Sequence, residues 1–208
     1  MTGIRRGPPS LPKFCEVNLA HGSPAFRAYV GNALEVLRTS QTEIGRATFR
    51  YITAGKVKVD EMTDLTRPDF ERARRTLAAW GKVVKKTDFG KLHDGRSHVA
   101  RTVKEHLRGY MWDDRIYVEA GLSPQVLAAT LVHEVNHVVN RSEENYRGDT
   151  RALLEEYRAF YAEKLFAGEP ITPAKAKALK ASVVRDYDLG KARIAEIPDL
   201  PPGILIPR

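Results

Sequence analysis

The stretch from residue 123 to residue 140 most constrains the fold, because its apolar side chains recur with the period of an α-helix. Ser123 is a suitable N-cap, and Pro124 suits the first helical position, where a backbone N–H is not needed. Asn140 can close the other end, since asparagine tolerates left-handed geometry. The period predicts a core face with a roomy polar face opposite it. The apolar stripe comprises Leu127, Leu131, Val135 and Val138.

The polar face of this helix carries an HExxH pattern, His133 to His137. Residues four apart on a helix lie nearly above one another, so both imidazoles can reach one metal ion. Glu134 projects about 100° away, beside the position left for a water molecule. On a helix, this pattern indicates a zinc hydrolase with the glutamate as general base. The other histidines, His21, His93, His98 and His106, are interpreted as surface or structural residues.

A second helix is expected downstream of the motif. Asp149 or Thr150 can cap its start, and Gly168 can end it. Its apolar face includes Tyr157 and Tyr161, which are therefore interpreted as core residues. The other apolar residues of this face are Leu153, Leu154, Phe160 and Leu165.

Catalytic zinc usually has three protein ligands, so a third side chain must follow the two histidines. Of two adjacent glutamates on the second helix, Glu156 borders the buried face, whereas Glu155 points farther toward solvent. Ala152 and Ala159, one turn before and after Glu156, would let this helix approach another closely. Glu156 is therefore the favoured third ligand, with Glu155 as an alternative.

Glu143 is a further alternative for the third ligand, six residues after His137. In the metzincin pattern the helix stops at a glycine, and the third ligand stands at the position of Glu143. Here Asn140 and Glu143 replace the glycine and the histidine of that pattern, which disfavours it.

Residues 131–140, followed by residues 156–160, resemble the gluzincin branch of zinc metallopeptidases, whose third ligand is a glutamate on the following helix. The resemblance implies one catalytic zinc ion. It also implies an α+β fold, a mostly helical zincin-like metallopeptidase domain with a small sheet and an active-site helix. It assigns the role of metal ligand to His133, His137 and Glu156, and the role of general base to Glu134.

The same resemblance assigns roles around the metal. Residues 115–119 alternate like a strand and precede the active-site helix by a short turn. In gluzincins that position is the edge strand along which an extended substrate lies. Gluzincins commonly stabilise the developing oxyanion with a tyrosine or histidine, and Tyr146 resembles such a tyrosine in placement. Orienting partners of the zinc-bound histidines are expected among Asn136, Asn140 and Asp149.

More loosely, the whole chain resembles small bacterial effector and toxin-type metallopeptidases such as the NleD-like group. These often begin with a helix that carries an apolar stripe, a threonine and a glycine, followed by a short strand. Here those features would be residues 33–37, Thr42, Gly45 and residues 56–59. The likeness implies a protein or peptide substrate. It is compatible with export from the cytoplasm without a cleavable signal peptide, and with a secretion-system or immunity partner.

The chain has 208 residues, 42% of them hydrophobic, which suits one domain with a substantial core. We expect a flexible arm over residues 1–14, the metallopeptidase domain over 15–195, and a Pro-rich tail over 196–208. No apolar run approaches the ~18 residues of a membrane span. The single cysteine, Cys15, excludes an intrachain disulfide framework.

The net charge of +8 raises the alternative of a nucleic-acid-binding or interaction module with a non-catalytic HExxH. Basic clusters occur at residues 72–75, 82–86 and 175–180. Acidic neighbours and helical spacing favour solvated helix faces, so nucleic acid is not the expected partner. An acidic protein would also be attracted by this charge. Within the same fold, a peptidase or amidase acting on bacterial cell-wall peptides is another alternative.

Periodicity also predicts the remaining elements. Residues 85–113 contain three glycines and are expected to form a hairpin or a loop region at the edge of the cleft. Strands are predicted at 56–60 and 115–119, and further helices at 24–39, 67–84 and 173–188.

Overall fold

The computed structural model describes residues 20–21, 23–61, 109–112, 115–118, 121–140, 146–187, 189–202 and 204. Over these ranges the chain is α+β and mostly helical, with five α-helices, one 3-10 helix and a four-stranded sheet. None of these helices is long and apolar enough to cross a membrane. Several features singled out above lie outside these ranges: residues 1–14, Cys15, the helix at 67–84, the first two basic clusters, His93, His98, His106 and Glu143.

Three of the helices begin as their capping residues predict. A serine or threonine precedes a proline at residues 23–24, 123–124 and 172–173, and its hydroxyl accepts a hydrogen bond from the N–H three residues later. The helices are α1 (Pro24–Arg38), α2 (Glu43–Thr53), α3 (Pro124–Val139), α4 (Gly148–Phe166) and α5 (Pro173–Asp186).

The expected helix at 24–39 is confirmed as α1. The effector resemblance also placed Thr42 and Gly45 on that first helix, but they belong to a second helix, α2, because local side-chain hydrogen bonds compete with the helix between α1 and α2. The Ser40 hydroxyl accepts from the Thr42 N–H, and the Thr42 hydroxyl accepts from the Gly45 N–H. Thr42 is thus the N-cap of α2 and not an interior residue of one long helix.

The sheet comprises β1 (Ala20–His21), β2 (Lys58–Glu61), β3 (Gly109–Trp112) and β4 (Arg115–Val118), in the order β1-β2-β4-β3. β4 is parallel to β2 and antiparallel to β3, so it has a neighbour on both sides. The expectation that residues 115–119 form an edge strand was therefore wrong. The three consecutive residues 116–118 are all buried, which is typical of a strand covered on both faces. Of the region 85–113, the structure describes only β3, which forms a hairpin with β4.

Two apolar clusters meet where α3 packs on α4. The first cluster gathers α1, α2, the strands and the predicted stripe of α3, in which Leu127, Leu131 and Val135 are fully buried. The second gathers α4, α5 and residues that follow α5, and it confirms the core positions of Tyr157 and Tyr161. The polar face of α3 lies toward Glu156 of α4: His133 and Asn140 are buried, and His137 is partly exposed.

Residues 189–202, which we call the C-terminal strap, are fastened to the start of α4. Asp149 accepts a hydrogen bond from the Lys191 N–H at 2.9 Å, and Thr150 accepts one from the Arg193 N–H at 3.0 Å. These two side chains were expected to cap α4, whose N-cap is Arg147 without a side-chain bond. The predicted helix end is confirmed, since α4 ends just before Gly168, which has a φ of +71°.

Candidate metal centre

The three predicted metal ligands lie together in the structure. His133 and His137 are one turn apart on α3, and Glu156 faces them from α4. Their ligand-capable atoms all lie within 4.8 Å of one another. We call these three residues the ligand cluster, and it could hold a metal ion.

The separations within the ligand cluster suit a small tetrahedral ion. Zinc bonds to nitrogen and oxygen ligands of about 2.1 Å place neighbouring ligands of a tetrahedron about 3.4 Å apart. The two histidine Nε2 atoms are 3.0 Å apart. From Glu156, Oε2 is 3.4 Å from the Nε2 of His133, and Oε1 is 3.6 Å from the Nε2 of His137. The side chains therefore need little rearrangement to hold such an ion.

Glu156 supplies a second reason to expect a cation here. The residue is only 2% exposed, and its Oε2 atom is buried without a hydrogen-bond partner. Leaving a buried carboxylate oxygen unsatisfied costs free energy, which a bound cation would recover. Glu155, the alternative ligand, instead forms an ion pair with Arg151 at 2.7 Å on the outer side of α4.

Glu163 orients the first histidine. Its Oε1 lies 2.7 Å from the Nδ1 of His133, so the imidazole donates that N–H to the carboxylate and keeps the Nε2 lone pair for a metal. Sequence analysis missed Glu163, although a residue seven positions after Glu156 lies on the same side of a helix. The sequence signal was therefore present.

The three orienting partners expected from the sequence are engaged elsewhere. Asn136 and Asn140 donate their side-chain amides to carbonyls one turn back on α3, those of Val132 and Asn136. Asp149 accepts from the C-terminal strap, as described above. The expectation was wrong, because each of these side chains forms its hydrogen bond with a nearby backbone group and not with a histidine ring.

Glu134, the candidate general base, is buried next to the ligand cluster, at 5% exposure. Burial raises the pKa of Glu134 to about 8, and the negative charges of Glu156 and Glu163 add to this rise. In the field of the protein's own charges, the carboxyl group is therefore mostly protonated at neutral pH. A nearby divalent cation would favour its ionised form.

The two histidines differ in their electrostatic surroundings. Burial lowers the pKa of His137 to about 4, so its imidazole is neutral and its lone pair is available near pH 7. Burial also opposes charge on His133, but Glu156 and Glu163 outweigh this effect and raise its pKa. Burial alone would raise the pKa of Glu156, but the two histidines outweigh this effect and lower it. A proton and a metal ion compete for the same lone pair of His133.

Tyr187 is a tyrosine bonded to the ligand cluster that sequence analysis did not single out. The hydroxyl of Tyr146 donates to the Glu196 carbonyl at 3.2 Å, in the C-terminal strap. Tyr187, the C-cap of α5, forms a hydrogen bond with Glu156, and its ring packs edge-on against Phe160. Phe160 in turn packs edge-on against the ring of His133. Sequence spacing gave no signal for Tyr187, because its placement depends on how α5 crosses α4.

The third basic cluster does not form a continuous charged face. Lys180 is buried and donates to the Ile197 carbonyl and to the Asp199 carboxylate, both at 2.8 Å. Lys175 and Lys177 remain exposed on α5. One of the expected surface charges is thus used inside the fold.

Comparison of the chain with protein-family models, with curated proteins and with solved structures finds no match. The functional argument therefore depends on the chemistry of the ligand cluster.

Proposed function

We propose that this protein is a gluzincin-type, zinc-dependent metallopeptidase that hydrolyses peptide bonds with a metal-activated water molecule. The observation that carries the proposal is the convergence of two imidazole nitrogens and one unsatisfied carboxylate oxygen at tetrahedral spacing. Glu134 follows the first ligand on the same helix, where the HExxH pattern has its general base.

The ligand cluster and Glu134 suit two parts of this chemistry, metal binding and proton transfer. His133, His137 and Glu156 would hold zinc, which lowers the pKa of a bound water and polarises the substrate carbonyl. Glu134, once ionised, would act as general base toward the attacking water and then as general acid toward the leaving amine. Burial of Glu134 keeps bulk water away and strengthens its electrostatic coupling to the site.

The proposed substrate class is proteins or peptides, in keeping with the gluzincin resemblance. Gluzincin-like effector or toxin activity on the proteins of another cell is the narrower form of the proposal. The net charge of +8 would favour association with acidic substrates.

The test combines metal analysis with proteolysis. We expect the purified protein to bind about one zinc ion per chain and to cleave unfolded protein substrates. Glu134→Gln should keep the zinc and lower cleavage by about 100-fold or more, because only the proton acceptor is lost. Glu155→Gln, a neighbouring surface carboxylate, serves as the control and should retain activity.

Two results would contradict the proposal. The first is a wild-type protein with no zinc affinity beyond that of the His133→Ala/His137→Ala double variant. The second is equal proteolysis by wild type and Glu134→Gln. Cleavage confined to bacterial cell-wall peptides would change the substrate class and leave the metal chemistry in place.

A further inference from the structure

The C-terminal strap is bonded to the part of α4 that carries the third metal ligand. The Tyr157 hydroxyl donates to the Asp199 carbonyl, and the Arg158 guanidinium donates to the Pro202 carbonyl at 2.8 Å. Both donors are buried, and they directly follow Glu156 in the chain. The backbone of the strap is thus bonded to α4 at the two residues that follow Glu156.

A buried lysine fastens the strap from the α5 side. Lys180 is 5% exposed and bonds both the Ile197 carbonyl and the Asp199 carboxylate. A buried ammonium group is costly unless it is paired, so strap docking and burial of Lys180 depend on each other. Ile197 is itself buried in the second apolar cluster. The strap is therefore an integral part of the packing between α4 and α5.

Tyr187, just before the strap, connects this packing to the ligand cluster. Tyr187 forms a hydrogen bond with the side chain of Glu156, and its ring packs on Phe160, which in turn packs on the ring of His133. The Oε2 atom of Glu156 lies 3.4 Å from the Nε2 of His133. Metal-binding carboxylates are commonly oriented by such a bond to an outer partner.

We propose that Tyr187 and the C-terminal strap form a positioning element of the metal centre, so that strap docking and metal affinity are coupled. The inference rests on the proposed zinc site. Coupling between two binding events is reciprocal, so displacement of the strap weakens zinc binding and bound zinc tightens the strap. Displacement of the strap is therefore a way to lower zinc occupancy.

Zinc dissociation constants, measured by competition with a chelator, test this coupling. Tyr187→Phe removes only the hydroxyl that orients Glu156. Asp199→Ala removes the carboxylate that pairs with Lys180 and keeps the carbonyl that Tyr157 uses. We expect each variant to raise the dissociation constant at least about fivefold. Tyr161→Phe, in the same apolar cluster, and Glu169→Gln, which breaks the exposed pair with Lys164, should leave it unchanged.

Two further measurements separate positioning from general destabilisation. Zinc-free Tyr187→Phe should still unfold in one cooperative urea transition, with a midpoint lowered only by the loss of the hydrogen bond to Glu156. In the wild type, zinc should slow amide hydrogen exchange in the strap at least about fivefold, by the reciprocity of the coupling. If Asp199→Ala fails to fold, Asp199→Asn keeps the volume and the oxygen acceptor and removes only the charge.

Wild-type affinity in both variants, with faster strap exchange in Asp199→Ala, would overturn the coupling while leaving the zinc site intact. Zinc that slows exchange in α3 and α4 but not in the strap would overturn it too. Absence of zinc binding by the wild type would instead overturn the proposed function.

Discussion

Three ionisable side chains of the candidate centre, those of His133, Glu134 and Glu156, are each no more than 8% exposed. Burying a charged group costs several kcal/mol after relaxation, and pairing does not always repay that cost. The burial of these three groups is thus better explained by the binding of a ligand than by a contribution to stability. Because buried charges depend strongly on their partners, even a conservative substitution of a residue that orients the cluster should weaken metal binding.

Glu163→Gln tests this sensitivity. The amide keeps the size of the carboxylate but loses the charge that holds the Nδ1–H of His133, so the imidazole is less firmly directed at the metal. Loss of such an outer partner typically weakens metal binding by about 10- to 100-fold. We expect that loss in a chelator-competition titration, with Glu155→Gln unchanged. An unaltered zinc affinity in Glu163→Gln would show that the carboxylate does not orient the ligand.

The first residues of helices were the easiest features to predict, because the capping residues that mark them are adjacent in the sequence. The pairs Ser123–Pro124 and Thr172–Pro173 mark the first residues of α3 and α5 correctly. Helix α2 was not predicted as a separate helix, since hydroxyl residues around Ser40 satisfy the backbone between α1 and α2 without glycine or proline. The interior position of β4 was also missed, because a strand's neighbours are decided by residues far away in the sequence.

The start of α2 also packs tightly against the end of α4, at Gly45. A Cβ atom at this position would lie 2.6 Å from the Cβ of Ser40 and 2.9 Å from a ring carbon of Phe166. Ser40 is held by its bonds to Thr42, so it cannot easily move aside. Small side chains are therefore excluded here by contact, not by backbone conformation.

Gly45→Ala should lower the free energy of unfolding by about 1–3 kcal/mol, the usual cost of overpacking. Urea unfolding monitored by circular dichroism measures the change. Gly190→Ala is the control, because a Cβ there meets nothing within 4 Å, and we expect it to be neutral. Equal stability of both variants would mean that the α2–α4 contact is looser than described.

At the scale of the whole molecule, the ligand cluster lies at the boundary of the two apolar clusters. The HExxH helix and the preference for Glu156 could be read from the sequence, since both depend on the position of residues along a helix. Glu163 was missed although its spacing from Glu156 places it on the same side of the helix, whereas the role of Tyr187 could not be assigned, because it depends on how α4 and α5 pack. A metal bound by α3 and α4 would join the two halves of the core.

Zinc removal should therefore destabilise the entire fold. At a free zinc concentration 100 times the dissociation constant, the expected gain in unfolding free energy is about 2.7 kcal/mol. Thermal unfolding with zinc and with a chelator measures this difference. The His133→Ala/His137→Ala variant should show no such shift. A similar shift in that variant would place the stabilising zinc at another site.

The short connection between α3 and α4 bears on the order of folding. Because the ligands come from two helices adjacent in sequence, the ligand cluster can form after closure of a small loop. The sheet instead requires β2 to meet β4, with Lys58 opposite Arg115, across a long stretch of chain. Contacts between residues distant in sequence form slowly, so we expect α3 and α4 to pack before β2 pairs with β4. A nascent chain could thus capture its metal before its sheet is complete, and the ion would then act as a nucleus for the remaining contacts.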